Sequence, residues 1–294
     1  MKIIDIHAHT SSHPMRNLHT ASASIATLEE TARRYGISTI VLLATYFPLK
    51  GTGVKNHDLL ERVAGNPLFL VFGSLDVMND LSGGITELEK LAKEKKISGI
   101  KLYPGYQGFR PNDERLNGVY ALADQYNLPV MFHGGELHHC CPPNKRLKGP
   151  RPCGFASCKL DNYLDLAHPR FVERPAREYP RVKFVVSHLA NPHFSELRGV
   201  MTRCPNIWTD ISGQFISGNP DDDKPEYREQ IVYEIREFLK CPNGGKRVMF
   251  ATDFPIQSYA DSLELVRRLN LPEHELENIF ANNAHCVLNQ DHRP

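Results

Sequence analysis

Lys2-Ile3-Ile4-Asp5-Ile6-His7-Ala8-His9 is the stretch on which the reading of this chain turns. Its isoleucine-rich approach reads as a short buried strand, and Thr10-Ser11-Ser12 then breaks the run. Strand side chains alternate faces, so His7 and His9 point the same way, one pleat apart. Two neutral imidazoles on one face can hold a borderline metal such as zinc, but they cannot complete its shell. Taken alone, His-x-His fits two exposed loop histidines better than a metal site, and the question passes to the rest of the chain.

Outward from that stretch, apolar strand-like runs alternate with amphipathic helix-like ones. Strands are expected near 2–6, 37–44, 68–75, 97–102, 129–132, 182–187, 206–211 and 247–251. Helices are expected over 22–35, 56–64, 85–95, 114–126, 171–179, 194–202, 227–239 and 258–269, with a last one over 273–288. Strict alternation implies parallel strands with right-handed crossovers, and eight units in 294 residues are the content of a (β/α)8 TIM barrel. A doubly wound sheet that bound a dinucleotide would carry a Gly-rich turn after its first strand, where this chain has His-x-His. One barrel over 1–294 is expected, with an insertion after strand 5 at 134–159.

Hydrophobic residues make up 41%, charged residues 23%, and the net charge is +1, an ordinary globular balance that points to neither nucleic acid nor an anionic membrane. No apolar run is long enough to span a bilayer, and no leader pattern opens the sequence. Seven cysteines, an odd number, suit a reducing compartment better than a disulfide framework, so a cytoplasmic protein is expected. The expected partner is a small-molecule substrate, with self-association into a homo-oligomer left open.

Barrel chemistry collects at the carboxyl ends of the strands. Polar groups stand there on six of them: His7 and His9, Lys101 within Gly99-Ile100-Lys101-Leu102-Tyr103-Pro104, His133 in Phe132-His133-Gly134-Gly135, His188 in Val186-Ser187-His188-Leu189, Asp210 in Trp208-Thr209-Asp210, and Asp253 in Thr252-Asp253-Phe254-Pro255. A barrel interior has no packing use for such residues, since a buried ionisable group needs a partner or a metal. Any one could be a satisfied core or loop residue; their shared placement is hard to obtain by chance.

With these strand-end motifs, and with Ala176-Arg177-Glu178-Tyr179-Pro180 and Asn282-Asn283-Ala284, the chain from residue 2 to about 288 resembles the amidohydrolase superfamily. The branch it is similar to includes aminocarboxymuconate semialdehyde decarboxylase and many metal-dependent hydrolases. The resemblance implies one divalent metal, zinc by preference, held by His7, His9, His133 and Asp253. It implies catalytic roles for His188 as base or electrophile and for Asp253 as proton acceptor. Lys101 stands where other branches carry a carbamylated lysine bridging two metals; the competing reading is an unmodified cation that binds a substrate carboxylate or oxygen. Tyr103, Tyr106, Arg110 and Trp208 are candidate substrate-binding residues, with Arg110 as surface and Trp208 as core equally open, and Asp210 is a candidate to orient a ligand histidine.

The implied activity is hydrolysis of a C–N or C–O bond (amide, lactone or ester) in a small carboxylated substrate, with non-oxidative decarboxylation of an aromatic or enoic acid as the alternative. The insertion is rich in proline and holds His138, His139, Cys140, Cys141, Cys153 and Cys158. A structural zinc, a redox-sensitive pair and an active-site lid are its three readings. The run Asp221-Asp222-Asp223 reads as a solvated loop before a helix.

Overall fold

A computed structural model describes residues 2–13, 18–49, 51–137 and 161–289. Eight strands lie in one sheet in sequence order: β1 (Ile3–Ala8), β2 (Ile37–Leu43), β3 (Phe69–Gly73), β4 (Gly99–Leu102), β5 (Val130–Phe132), β6 (Phe184–Val186), β7 (Ile207–Asp210) and β8 (Val248–Met249). Every neighbouring pair is parallel. The sheet closes on itself where Asp253 N–H donates to His7 O and His9 N–H donates to Phe254 O, each at 2.8 Å. The result is the TIM barrel that strand–helix alternation predicts.

Between the strands run α1 (Ile25–Tyr35), α2 (Asn56–Arg62), α3 (Leu81–Lys93), α4 (Asn117–Gln125), α5 (Glu173–Glu178), α6 (Phe194–Arg203), α7 (Pro225–Leu239) and α8 (Tyr259–Arg267). Local chemistry sets their ends. The Ser24 hydroxyl accepts the Thr27 N–H at 3.2 Å to start α1, and Gly36, at φ +69°, stops it. The Asp80 carboxylate accepts the Gly83 N–H at 3.1 Å, which starts α3 ahead of the expected Ile85. The expected last helix is interrupted: α9 (Glu273–Glu277) and α10 (Asn283–Val287) flank a π-helical segment, Asn278–Asn282.

Two apolar layers result. One lies between the strands and the surrounding helices, and includes Leu28 and Ala32 of α1, Leu88 of α3 and Val266 of α8. The other fills the barrel interior with Ile4, Ile6, Val41, Phe72, Val185 and Met249, closed by Ala284 and Val287 of α10. Asn283 Nδ2 ties α10 to the start of β8 by donating to Val248 O at 2.7 Å. That plug closes the amino-terminal end of the barrel.

The β5–β6 connection, residues 133–183, carries the insertion. His138, His139, Cys140, Cys141, Cys153 and Cys158 lie outside the described residues, as do the structural-zinc, redox and lid readings attached to them. The Asp221–Asp223 run is not simply solvated. Asp223 accepts from Arg228 at 2.6 Å and from the Gly218 N–H at 2.9 Å, and so fastens the loop to α7.

Candidate metal centre

β1 carries its histidines into the mouth by breaking its own alternation. The β1–β2 register shifts between Asp5 and Ala8, and Ile4 and Ile6 join the inner layer while Ala8 joins the outer one. Asp5 holds the irregular segment. Its carboxylate accepts the His7 N–H and the Thr252 N–H at 3.1 Å each, and the Thr252 hydroxyl at 2.7 Å. Burial pushes Asp5 up to about 6 despite these donors. β1 and the end of β8 are thereby fixed to each other beside His7 and Asp253.

The end of β7 is the second anchor. Asp210 is fully buried and accepts from the His188 N–H and the Ser212 N–H at 3.1 Å each, from the Ser212 hydroxyl, and from His7 Nδ1 at 3.4 Å. Burial alone would raise its carboxyl, but the His7 and Ser212 bonds outweigh that and hold it well below the usual carboxylate range. Gly213, at φ +57°, leaves the space that His188 and Asp253 occupy. A Cβ there would stand 2.7 Å from Asp253 Oδ2 and 2.9 Å from His188 Nδ1.

Four non-glycine residues at the mouth adopt left-handed backbone: His188 (φ 63°), Leu189 (53°), Ala190 (53°) and Asp253 (57°). Such conformations cost about 1–2 kcal/mol each and concentrate where function demands a side-chain direction that ordinary backbone does not give. Here they turn His188 and Asp253 inward beyond the ends of β6 and β8.

Inside, donor atoms converge. Asp253 Oδ1 lies 3.3 Å from His7 Nε2 and 3.1 Å from His9 Nε2. His188 Nε2 lies 3.2 Å from His133 Nδ1. Ligand atoms of His7, His188 and Asp253 all fall within 4.8 Å of one another. Asp253 is held well below the carboxylate range because the His7 and His9 bonds overcome its burial. Burial drives His188 down to about 3 and also lowers His9. His7 moves the other way: burial and Lys101 lower it, but Asp210 and Asp253 raise it more.

The tautomers of these histidines decide whether the set fits a cation. His133 Nε2 faces Glu136 O at 3.0 Å, and His188 Nδ1 faces Ser212 O at 3.1 Å. Carbonyl oxygens only accept, so both of those nitrogens carry the proton. His133 Nδ1 and His188 Nε2 then meet as two lone pairs. His7 meets the same problem by protonation: Nδ1 donates to Asp210, and its raised pKa lets Nε2 donate to the Asp253 carboxylate, a proton whose place a bound cation would take. The buried Nδ1 of His9 has no hydrogen-bond partner among the described residues. Lone pairs facing lone pairs in a buried mouth repel unless positive charge stands among them, and imidazoles with one carboxylate are a donor set suited to zinc. The residues fit a divalent ion.

Lys101 is fully buried and donates to Ser187 Oγ at 3.0 Å, with its ammonium 5.3 Å from the Tyr103 ring centre. Burial lowers it to about 8, with Asp210 and Asp253 opposing the fall. His7, His9, Lys101, Tyr103, Tyr106, His133, His188 and Asp253 all line one cavity of about 550 Å³. Tyr106 packs its ring 4.8 Å from that of His133, and the Tyr103 hydroxyl is committed to Ala44 O at 2.9 Å.

Two expected substrate contacts are not brought to this cavity. Arg110 lines a separate surface hollow with its guanidinium 4.9 Å over the Phe171 ring, and Trp208 is buried in the inner apolar layer. Asp5, Ser187, Ser212, Gly213 and Arg62 are parts of the mouth that reading by strand ends passes over. An acid inside an isoleucine strand, two residues before His7, was the visible signal for Asp5.

The profile of the Amidohydrolase family matches residues 4–289. No protein of curated function matches the sequence. Among solved structures, an uncharacterised TIM-barrel protein from Bordetella bronchiseptica is similar with TM-score 0.71 and 19% identity, over 100% of both chains. A probable 2-pyrone-4,6-dicarboxylic acid hydrolase from Acinetobacter baumannii, with citric acid bound, gives TM-score 0.66 and 14% identity over 98% of this chain and 100% of that one. The 5-carboxyvanillate decarboxylase of Sphingomonas paucimobilis gives 0.63 and 15% over 98% and 99%. Structural likeness at such identities reaches the fold alone, whereas the family profile spans nearly the whole sequence: the chain belongs to the amidohydrolase family.

Proposed function

We propose that this protein is a metal-dependent hydrolase that opens a C–N or C–O bond (amide, lactone or ester) in a small carboxylated substrate. The observation that carries the reading is the meeting of imidazole lone pairs and the Asp253 carboxylate in one buried mouth. His7, His9, His133 and Asp253 would hold one divalent ion, zinc by donor type. Bound there, the ion supplies Lewis acidity toward a carbonyl and lowers the pKa of a water.

The chain's own groups supply the rest. Asp253, ionised and aimed by its left-handed backbone, accepts the proton of an attacking water. His188 presents the lone pair of Nε2 to the mouth beside Asp253, so it takes up a proton during the reaction. One Lys101 N–H is used on Ser187, and the others point their charge at a substrate oxygen. Asp210 keeps the proton of His7 on Nδ1.

The short distances among His7, His188 and Asp253 favour a second arrangement of the same site, with His188 as a ligand. Decarboxylation is the competing chemistry, in which the same mouth orients a carboxylate and a protonated residue delivers hydrogen to carbon. The fold is shared with proteins named for both reactions. We also infer a cytoplasmic location and a small-molecule partner, supported by the odd cysteine count and the near-neutral charge.

One experiment addresses reaction and ligand set together. Zinc-loaded wild type and His188→Ala are given 2-pyrone-4,6-dicarboxylate, a lactone, and 5-carboxyvanillate, an aromatic acid, with zinc content measured alongside. The expected result is ring opening of the lactone with no carbon dioxide, and in His188→Ala a loss of about 10²–10⁴ in turnover with zinc retained. Carbon dioxide from the aromatic acid without lactone opening would establish the decarboxylase. Zinc lost in proportion to activity would make His188 a ligand.

A further inference from the structure

The cavity that holds His7, His9 and Asp253 is also walled by Arg62, the last residue of α2. Arg62 is half-buried, and no acid pairs with it among the described residues. Some arginines elsewhere are paired, Arg115 with Asp113, Arg177 with Glu173 and Arg228 with Asp223, each within 2.7 Å. Arg62 differs from others without an acid partner among the described residues, such as Arg110, in lining the cavity that holds His7 and Asp253. A guanidinium kept unpaired on a cavity wall presents its fork to whatever enters.

Charge on the rest of the wall points the same way. Asp253 is the one carboxylate among the described lining residues, against Lys101 and Arg62. Its charge is already engaged by His7 and His9 at 3.3 and 3.1 Å. A divalent ion would leave the chamber clearly electropositive, an environment that concentrates anions and rejects neutral ligands of the same shape. Lys101 is bound to Ser187 at β4, whereas Arg62 comes from the end of α2 and shares the cavity wall with Gly51, Thr52 and Gly53. The two cations therefore serve different parts of a ligand.

We propose that Arg62 is a specificity-determining residue: it receives, in bidentate fashion, a substrate carboxylate set apart from the group that reacts. This rests on the hydrolase reading for the location of the reacting end, and it assigns to Arg62 the carboxylate recognition that Arg110 is not placed to perform. Loss of Arg62 should weaken binding of the distal carboxylate and leave the reacting end untouched.

Binding by calorimetry tests this without a known substrate. Zinc-loaded protein is titrated with the straight-chain diacids from malonate to adipate, and with the monomethyl ester of each. In wild type at least one diacid should bind about tenfold or more tighter than its ester, as a charge-assisted fork requires. Arg62→Met should abolish that preference and Arg62→Lys should restore part of it, with zinc content and circular dichroism unchanged in both. Equal binding of every diacid and its ester in wild type would overturn the proposal, as would a preference that survives Arg62→Met. Zinc content is read in the same samples: a wild type that binds no zinc defeats the hydrolase reading, while the diacid–ester comparison still reports on Arg62.

Discussion

Lys101 shows how a single residue can be set by its surroundings against the stability of the fold. Its stem is enclosed in the barrel and its ammonium meets one neutral hydroxyl, Ser187 Oγ, at 3.0 Å. Burial lowers it from 10.5 to about 8, so charge at neutral pH is carried at a penalty. Below pH 8 both folded and unfolded chains hold the proton and the penalty is fully present. Between pH 8 and 10.5 the folded state has released the proton and the unfolded state has not, so stability rises with pH. Lys101→Met should therefore stabilise the metal-free protein at pH 7 by up to about 3 kcal/mol. The gain should shrink between pH 8 and 10.5, while activity is lost. Denaturant melts at pH 7 and pH 10 check this, and an equal change at both would contradict it.

At the scale of the element, the ends of β6, β7 and β8 work as a unit, since each strand exit makes room for its neighbour. Gly213 tests that coupling because two glycines of this chain separate backbone cost from contact cost. Gly36 ends α1 at φ +69° with nothing within 4 Å of the place a Cβ would occupy, whereas at Gly213 that atom would meet Asp253 Oδ2 and His188 Nδ1. Gly36→Ala and Gly213→Ala should each lose about 1 kcal/mol from forcing alanine into left-handed backbone. Only Gly213→Ala should also lose zinc, because Asp253 and His188 must move aside. Equal zinc contents in the two variants would show that the β7 exit does not set the position of those side chains.

For the whole molecule, the consequence of closure is that β1 and β8, the first and last strands, share the centre. Asp5 bridges to Thr252, and the His7 and Asp253 backbones bond directly. An ion held between His7, His9 and Asp253 would therefore tie the two ends of the barrel together, and its free energy would appear in global stability. At a free ion concentration about 100 times Kd this contributes about 2.7 kcal/mol. For a chain of this size that is roughly 4 °C in Tm. Calorimetry should show that drop on dialysis against a chelator, with recovery on adding zinc. A Tm indifferent to the chelator would mean that nothing bound at the mouth joins the strands.

Much of this was legible in the order of residues alone. The alternation of β-branched runs with amphipathic ones specifies eight parallel units because side-chain period and capping are local properties. The position of His7, His9, Lys101, His133, His188 and Asp253 at strand exits follows once the barrel is accepted, since parallel strands put all their carboxyl ends at one mouth. What lies between those exits was decided by the tertiary structure. Asp210 has four donors only because β6, β7 and β1 bring His188, Ser212 and His7 around it. Trp208 stands on the same strand, two residues earlier, in the apolar layer below. Arg110 lies in the loop after β4 and Arg62 at the end of α2, and nothing in the sequence around either says which one reaches the mouth. Which of them faces the cavity depends on the course of a loop and the tilt of a helix, and these are set by packing over the whole barrel rather than by any local pattern.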